Sequence, residues 1–141
     1  MFKKGFTLVE LLIVVALIGI LVTGALSSYR LTQKSSRDGK RKTDMERVRQ
    51  ALELYRDETG SYPTIGGGSW TAFSGLSVLV PDYIDKLPQD PQSTYPYRYR
   101  ATNVTGARYY GYCMGGKLEA STPTDNPCTP ETNYNFTVRN P

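Results

Sequence analysis

Residues 1–30 read MFKKGFTLVELLIVVALIGILVTGALSSYR, and the rest of the chain is organised around them. Lys3 and Lys4 stand before Gly5, and a predominantly apolar run extends from Phe6 to Leu26. At about 1.5 Å per residue this run makes a helix roughly 30 Å long, the thickness of a bilayer core. Its one charge is Glu10, close to the start. A helix apolar on every side must be surrounded, either by lipid or by like helices.

Glu10 makes the stretch more than an anchor. A carboxylate in hydrocarbon costs several kcal/mol, so it needs a partner, a place near the headgroups, or neutralisation. A cut after Gly5 would create an amine at Phe6, positive near neutral pH. The two groups can meet within one chain, though a free helix end holds them loosely. In a lattice of parallel helices, Glu10 of one copy meets the Phe6 amine of its neighbour, and every copy supplies both halves of the bond.

Lys3-Lys4-Gly5-Phe6-Thr7-Leu8-Val9-Glu10 with the following apolar run resembles the prepilin signal of type IV pilins and type II secretion pseudopilins. The resemblance implies cleavage by a prepilin peptidase between Gly5 and Phe6 and N-methylation of Phe6. It implies that Phe6 and Glu10 set subunit register during assembly. In related filaments the first helix is locally unwound, and Gly19 is the matching candidate for melting. The proline often found further on is absent, since residues 20–35 contain none. The competing reading is an ordinary secretory signal or plain anchor, with Thr23, Gly24, Ala25 and Ser27 as small residues for a cleavage site. The long apolar run and its early carboxylate argue against it.

Outward from the run, Met45, Val48, Leu52 and Tyr55 share one helical face, widened by Ala51. Arg49 stands four residues before Glu53, a spacing for surface pairing. The expectation is one nearly continuous helix from Phe6 to about Glu58, stopped by Gly60. Ser35, Ser36, Asp38 and Gly39 are poor helix formers in a row, a place for a bend.

The remainder is a small head. Gly60-Ser61-Tyr62-Pro63 and Leu87-Pro88-Gln89-Asp90-Pro91 resemble segments of major pseudopilins. Trp70, Phe73, Leu76, Leu79 and Val80 predict a short helix ended by Pro81. Period-two patterns predict strands over 95–101, 108–114 and 134–139, with 117–120 as a short extension. Residues 122–130 read as loop. The predicted fold class is α+β, the lollipop of pilins: a long N-terminal helix whose second half packs on a three- or four-stranded antiparallel sheet. The division is a cleaved leader at 1–5, a transmembrane or filament-core helix at 6–30, and a globular head at 31–141.

Composition excludes much chemistry. The chain has 141 residues, no histidine and a formal charge of +4, or near +2 without the two leader lysines. Without histidine there is no His-based triad or proton shuttle. No nucleophile elbow surrounds the serines. Gly66-Gly67-Gly68 lacks the lysine of a phosphate loop. No enzyme is expected, and no cofactor. The two cysteines, Cys113 and Cys128, lie outside the cytosol on this reading and predict a disulfide, with buried free thiols as the alternative. Asp82, Asp85 and Asp90 are weak calcium candidates; the resemblance associates calcium with a C-terminal loop, but the glycine–aspartate run is missing and the late acids are Glu119, Asp125 and Glu131. Tyr95, Arg98, Tyr99, Arg100, Arg108, Tyr109 and Tyr110 read as sheet packing and subunit contact; a stacking surface for single-stranded nucleic acid is the alternative. Asn103-Val104-Thr105 and Asn135-Phe136-Thr137 match the glycosylation acceptor pattern.

The functional expectation is a structural subunit of a type IV pilus, held in the cytoplasmic membrane until assembly and extracellular afterwards. The cysteine-closed loop favours the pilus; the two pseudopilin-like segments favour the alternative, a type II secretion pseudopilin. A different class is a membrane-anchored binding protein that never polymerises. The resemblance implies as partners further copies in a helical filament, other minor pilins, the prepilin peptidase, an assembly ATPase and an inner-membrane platform protein.

Overall fold

The computed structural model describes residues 5–120, 127–129 and 131–140. Lys3, Lys4, Asp125 and part of the 122–130 loop lie outside the described residues. The chain forms two compact units, residues 1–34 and 35–141, taken in turn.

The first unit contributes the opening part of helix α1, Leu8–Thr59. It is long and apolar enough to cross a membrane, and its described side chains are all exposed. The helix is continuous through Gly19, whose carbonyl accepts the Thr23 hydroxyl at 2.8 Å.

The second unit holds the core. Residues 35–39 are helical, part of α1. The reason is tertiary: Asp38, a poor helix former by propensity, is 4% exposed and fully engaged by charge and backbone partners described below. Met45, Val48, Ala51 and Leu52 are buried as their spacing predicts, with Tyr55 packed at the margin. Gly60 ends the helix at φ +78°, donating its N–H to the Arg56 carbonyl at 2.7 Å, a left-handed cap that glycine adopts without penalty.

Four antiparallel strands follow in the spatial order β1 (Thr71–Ala72), β2 (Arg98–Thr105), β3 (Arg108–Gly116) and β4 (Phe136–Arg139). Thr71 faces Tyr99, Arg98 faces Gly115 and Cys113 faces Arg139. The inward residues Tyr97, Tyr99, Tyr112 and Met114 join the α1 face in one core, with Phe73, Leu76 and Leu79 closing it. This is the α+β arrangement of the pilin fold.

Several local expectations change. The predicted helix over 70–81 is a two-residue strand and then a 3₁₀ segment, Phe73–Leu79, interrupted at Leu76. The Phe73 N–H donates to the Tyr97 carbonyl at 3.0 Å, so the backbone there is spent on β2 before a helix can start. β2 begins at Arg98 rather than residue 95, because Pro96 has no N–H for a ladder. Lys117–Ala120 is not strand. In β4 the deeply buried residue is Thr137, at 2%, while Phe136 and Val138 are half-buried. The Thr137 hydroxyl bonds the Cys128 backbone, so Cys128 packs on that face of the strand and alternation no longer marks one inner side.

Candidate assembly site

The head of α1 is built by a reciprocal cap. Thr7 donates its N–H and its hydroxyl to Glu10 Oε2, at 2.9 and 2.7 Å, and the Glu10 N–H returns a bond to Thr7 Oγ1 at 3.2 Å. This is a capping box, and it satisfies two N–H groups that a helix start leaves without partners. In the uncleaved chain Glu10 is therefore held by its own Thr7. Sequence reading assigned Glu10 only to an amine; the Thr-x-x-Glu spacing before an apolar run was the available signal. Phe6, Leu8 and Val9 around it are 83%, 78% and 64% exposed.

Cys113 and Cys128 form a disulfide, with Cα atoms 6.2 Å apart. It closes the segment after β3 and brings the Cys128 loop onto β4.

The three weak calcium candidates do not gather. Asp82 and Asp85 are exposed, whereas the Asp90 carboxylate is closed by Arg41. Among the described residues no group of acids or cysteines is arranged to hold a metal ion. The Tyr–Arg set is likewise divided between surroundings. Tyr99 is fully buried, donating its hydroxyl to the Pro63 carbonyl at 3.0 Å. Arg100 lies over the Trp70 ring at 4.9 Å, and Arg98 Nε is 2.9 Å from Glu131 Oε2 in an ion pair. Arg108 and Tyr110 of the set are exposed. Glu53 also departs from its predicted pairing: Arg49 binds Glu46, and Glu53 instead accepts the hydroxyls of Tyr62 at 2.8 Å and Tyr112 at 3.2 Å.

Sequence reading missed a buried ionic cluster. Arg41, 2% exposed, donates Nε and Nη2 to Asp90 and Nη1 to both Asp38 and Glu119. Arg37 adds a two-pronged pair to Glu119. Asp38 accepts the backbone N–H groups of Glu119 and Ala120 at 2.9 and 2.8 Å. Three segments meet here: α1, the Leu87–Pro91 stretch and the chain after β3. The Arg37 pair, with help from Arg41, holds the Glu119 carboxyl down at about 2. Burial raises Asp38, but the Ala120 and Glu119 N–H groups and Arg41 outweigh it and the net shift is downward. Arg37, Asp38 and Arg41 are spaced four and three apart on one helix face, the one trace of the cluster in sequence.

A carboxylate heads an exposed apolar stretch of α1, and the later part of the same helix packs on a four-stranded sheet, the arrangement of the pilin fold. Residues 1–26 match the prokaryotic N-terminal methylation motif. The chain is 28% identical over 131 residues to the type II secretion system core protein G of Aeromonas hydrophila, covering 87% of this chain and 90% of that one. It is 27% identical to that of Pseudomonas aeruginosa, covering 74% and 78%, and 29% identical to that of Vibrio cholerae, covering 74% and 75%. No solved structure matches significantly. Motif, fold and relatives agree in what the chain is similar to: it carries the methylation motif, has the pilin arrangement of helix and sheet, and resembles type II secretion core proteins over most of its length.

Proposed function

We propose that this chain is a structural subunit of a type II secretion pseudopilus, assembled from a membrane pool through its apolar helix. The observation that carries the reading is the extent of the likeness to core protein G, which takes in 87% of the chain and so includes head as well as anchor. Sequence alone narrowly favoured a type IV pilus; that reading has support from the shared motif and fold only, and the relatives favour the pseudopilus. The Leu-Pro-x-Asp-Pro segment supports the same choice, because Asp90 within it has a defined task in this head, closing on Arg41.

In this reading the prepilin peptidase cuts between Gly5 and Phe6, and Phe6 is methylated. The uncut chain waits in the cytoplasmic membrane with its head outside the cytoplasm. Extraction is uphill unless the helix is buried again among other copies, since each CH₂ transferred is worth about 0.8 kcal/mol. Glu10 leaves its Thr7 cap for the Phe6 amine of a neighbour, and a misaligned copy keeps an unsatisfied carboxylate. An assembly ATPase and a platform protein supply the work. The role is structural, without catalysis or cofactor.

The test is mass analysis of the N-terminus with electron microscopy of sheared and envelope fractions from the native cell. A chain beginning at Phe6, confined to the envelope in short filaments, supports the pseudopilus. Long surface filaments of the same chain return the assignment to a type IV pilus. A chain keeping Met1, with Glu10→Ala leaving its behaviour unchanged, leaves the non-polymerising anchored binding protein.

A further inference from the structure

In the second unit, several exposed charges on or beside α1 take no ion pair among the described residues. Lys40, Lys42 and Arg47 are exposed and unpaired towards the start of this part of the helix. Asp57, Asp82 and Asp85 are exposed and unpaired at its other end, where Lys86, also exposed and unpaired, leaves the net charge negative. The position of the last two is fixed by their neighbour Tyr83. Its ring meets Tyr55 edge-on at 5.4 Å, and its hydroxyl donates to Glu58 at 2.6 Å. Further on, Asp90 returns to Arg41. The stretch from Pro81 to Asp90 thus runs back along α1, with Asp82 and Asp85 at the helix's C-terminal end.

Between helix and stretch lies an open groove of about 860 Å³. Lys40 and Arg47 stand on its helical wall beside the buried Asp44, which accepts the Tyr97 hydroxyl; Asp82, Asp85 and Lys86 stand on the other, and Leu54 is 56% exposed. The two walls do not pair with each other. Nor do the acids serve the helix: Asp57 and Glu58 occupy its last turn, where the macrodipole is negative and disfavours anions. No cation of this chain makes an ion pair with them among the described residues.

A second copy supplies cations. Two parallel copies at the same level would set Lys40 and Arg47 against their like, and the acids against theirs. The basic wall centres near residue 43 and the acidic end near residue 56, thirteen positions on, or roughly 20 Å along a helix. A shift of that size brings opposite charges together. The contact uses different patches on the two copies, so it does not close and repeats into a filament. Resting on the filament reading above, we propose that the acidic end formed by Asp57, Asp82 and Asp85 of one copy docks on the Lys40–Arg47 wall of a second copy, displaced by roughly 20 Å along α1.

The experiment uses the full chain in its native membrane with the assembly machinery present. Arg47→Asp and Asp85→Arg are made singly and together, and filament content is measured. In a second arm, one chain with Lys40→Cys is co-expressed with another carrying Asp85→Cys, and oxidised dimers are sought. Membrane level and formation of the Cys113–Cys128 bond report folding of each variant. Each reversal alone lowers filament content several-fold, the pair together restores it, and the mixed-cysteine dimer forms. Filaments indifferent to single reversals, a double variant as poor as the worse single one, or no mixed dimer within abundant filaments would overturn the contact while leaving the filament reading intact. No filaments from the unaltered chain would overturn both.

Discussion

Arg41 closes on Asp90 with two hydrogen bonds, 2.7 Å from Nε and 2.9 Å from Nη2, and the two side chains are only 2% and 1% exposed. A buried guanidinium is costly unless every donor finds an acceptor, and here Asp38 and Glu119 complete the set. The pair ties α1 to the Leu87–Pro91 stretch, and Asp38 ties it to the chain after β3.

Removing the cation leaves buried carboxylates facing one another. Arg41→Met is expected to destabilise the detergent-solubilised chain by about 3–5 kcal/mol in urea unfolding, the range for breaking a buried ion pair. A loss under about 1 kcal/mol would mean that the cluster contributes specificity rather than stability.

Acid should weaken the same cluster. Glu119 and Asp38 both have folded values below their unfolded ones, so their ionised forms stabilise the fold above the ordinary carboxylate range. That stability is present at neutral pH, begins to fall below roughly pH 4.5, and for Glu119 is exhausted as pH drops through about 2. Unfolding measured across this window should decline less steeply in Glu119→Gln. A parallel decline in variant and parent would remove Glu119 from the account.

The disulfide joins residues 15 apart in sequence. Loop closure of that length is worth about 3 kcal/mol in the chain-entropy description. Reduction, or Cys113→Ala with Cys128→Ala, should lower the melting temperature correspondingly and expose the 113–128 segment to protease. An unchanged melting temperature under reductant contradicts this.

Thr7 should matter through its cap. Thr7→Val removes the hydroxyl that Glu10 both receives from and donates to, at about 1 kcal/mol for a lost N-cap. Amide exchange at Glu10 in detergent should then quicken roughly fivefold, while Thr7→Ser keeps the parental rate. Equal rates in all three chains would show that the first turn opens regardless of the cap.

The first thirty residues and the Met45–Tyr55 stripe were legible because their signals are local: an apolar run of bilayer length, and a repeat set by the helix turn. Those properties set the long helix and the buried face. β2 and β3 were legible within a few residues for the same reason. The ends were not, since Pro96, the Phe73–Tyr97 bond and the disulfide loop act across the sheet. Asp38 shows the limit most clearly. In sequence it is one polar residue in a weak helical stretch; in the fold it is buried, held by Arg41 and by two N–H groups some eighty positions away. Asp90 shows it too, as one of three loop acids that proves to be the counter-ion of a buried arginine. Sequence alone determined the long helix, its apolar face and the middles of β2 and β3, because these depend on near neighbours. Only tertiary structure decided which charges are buried and which remain free, because that depends on segments brought together from far along the chain.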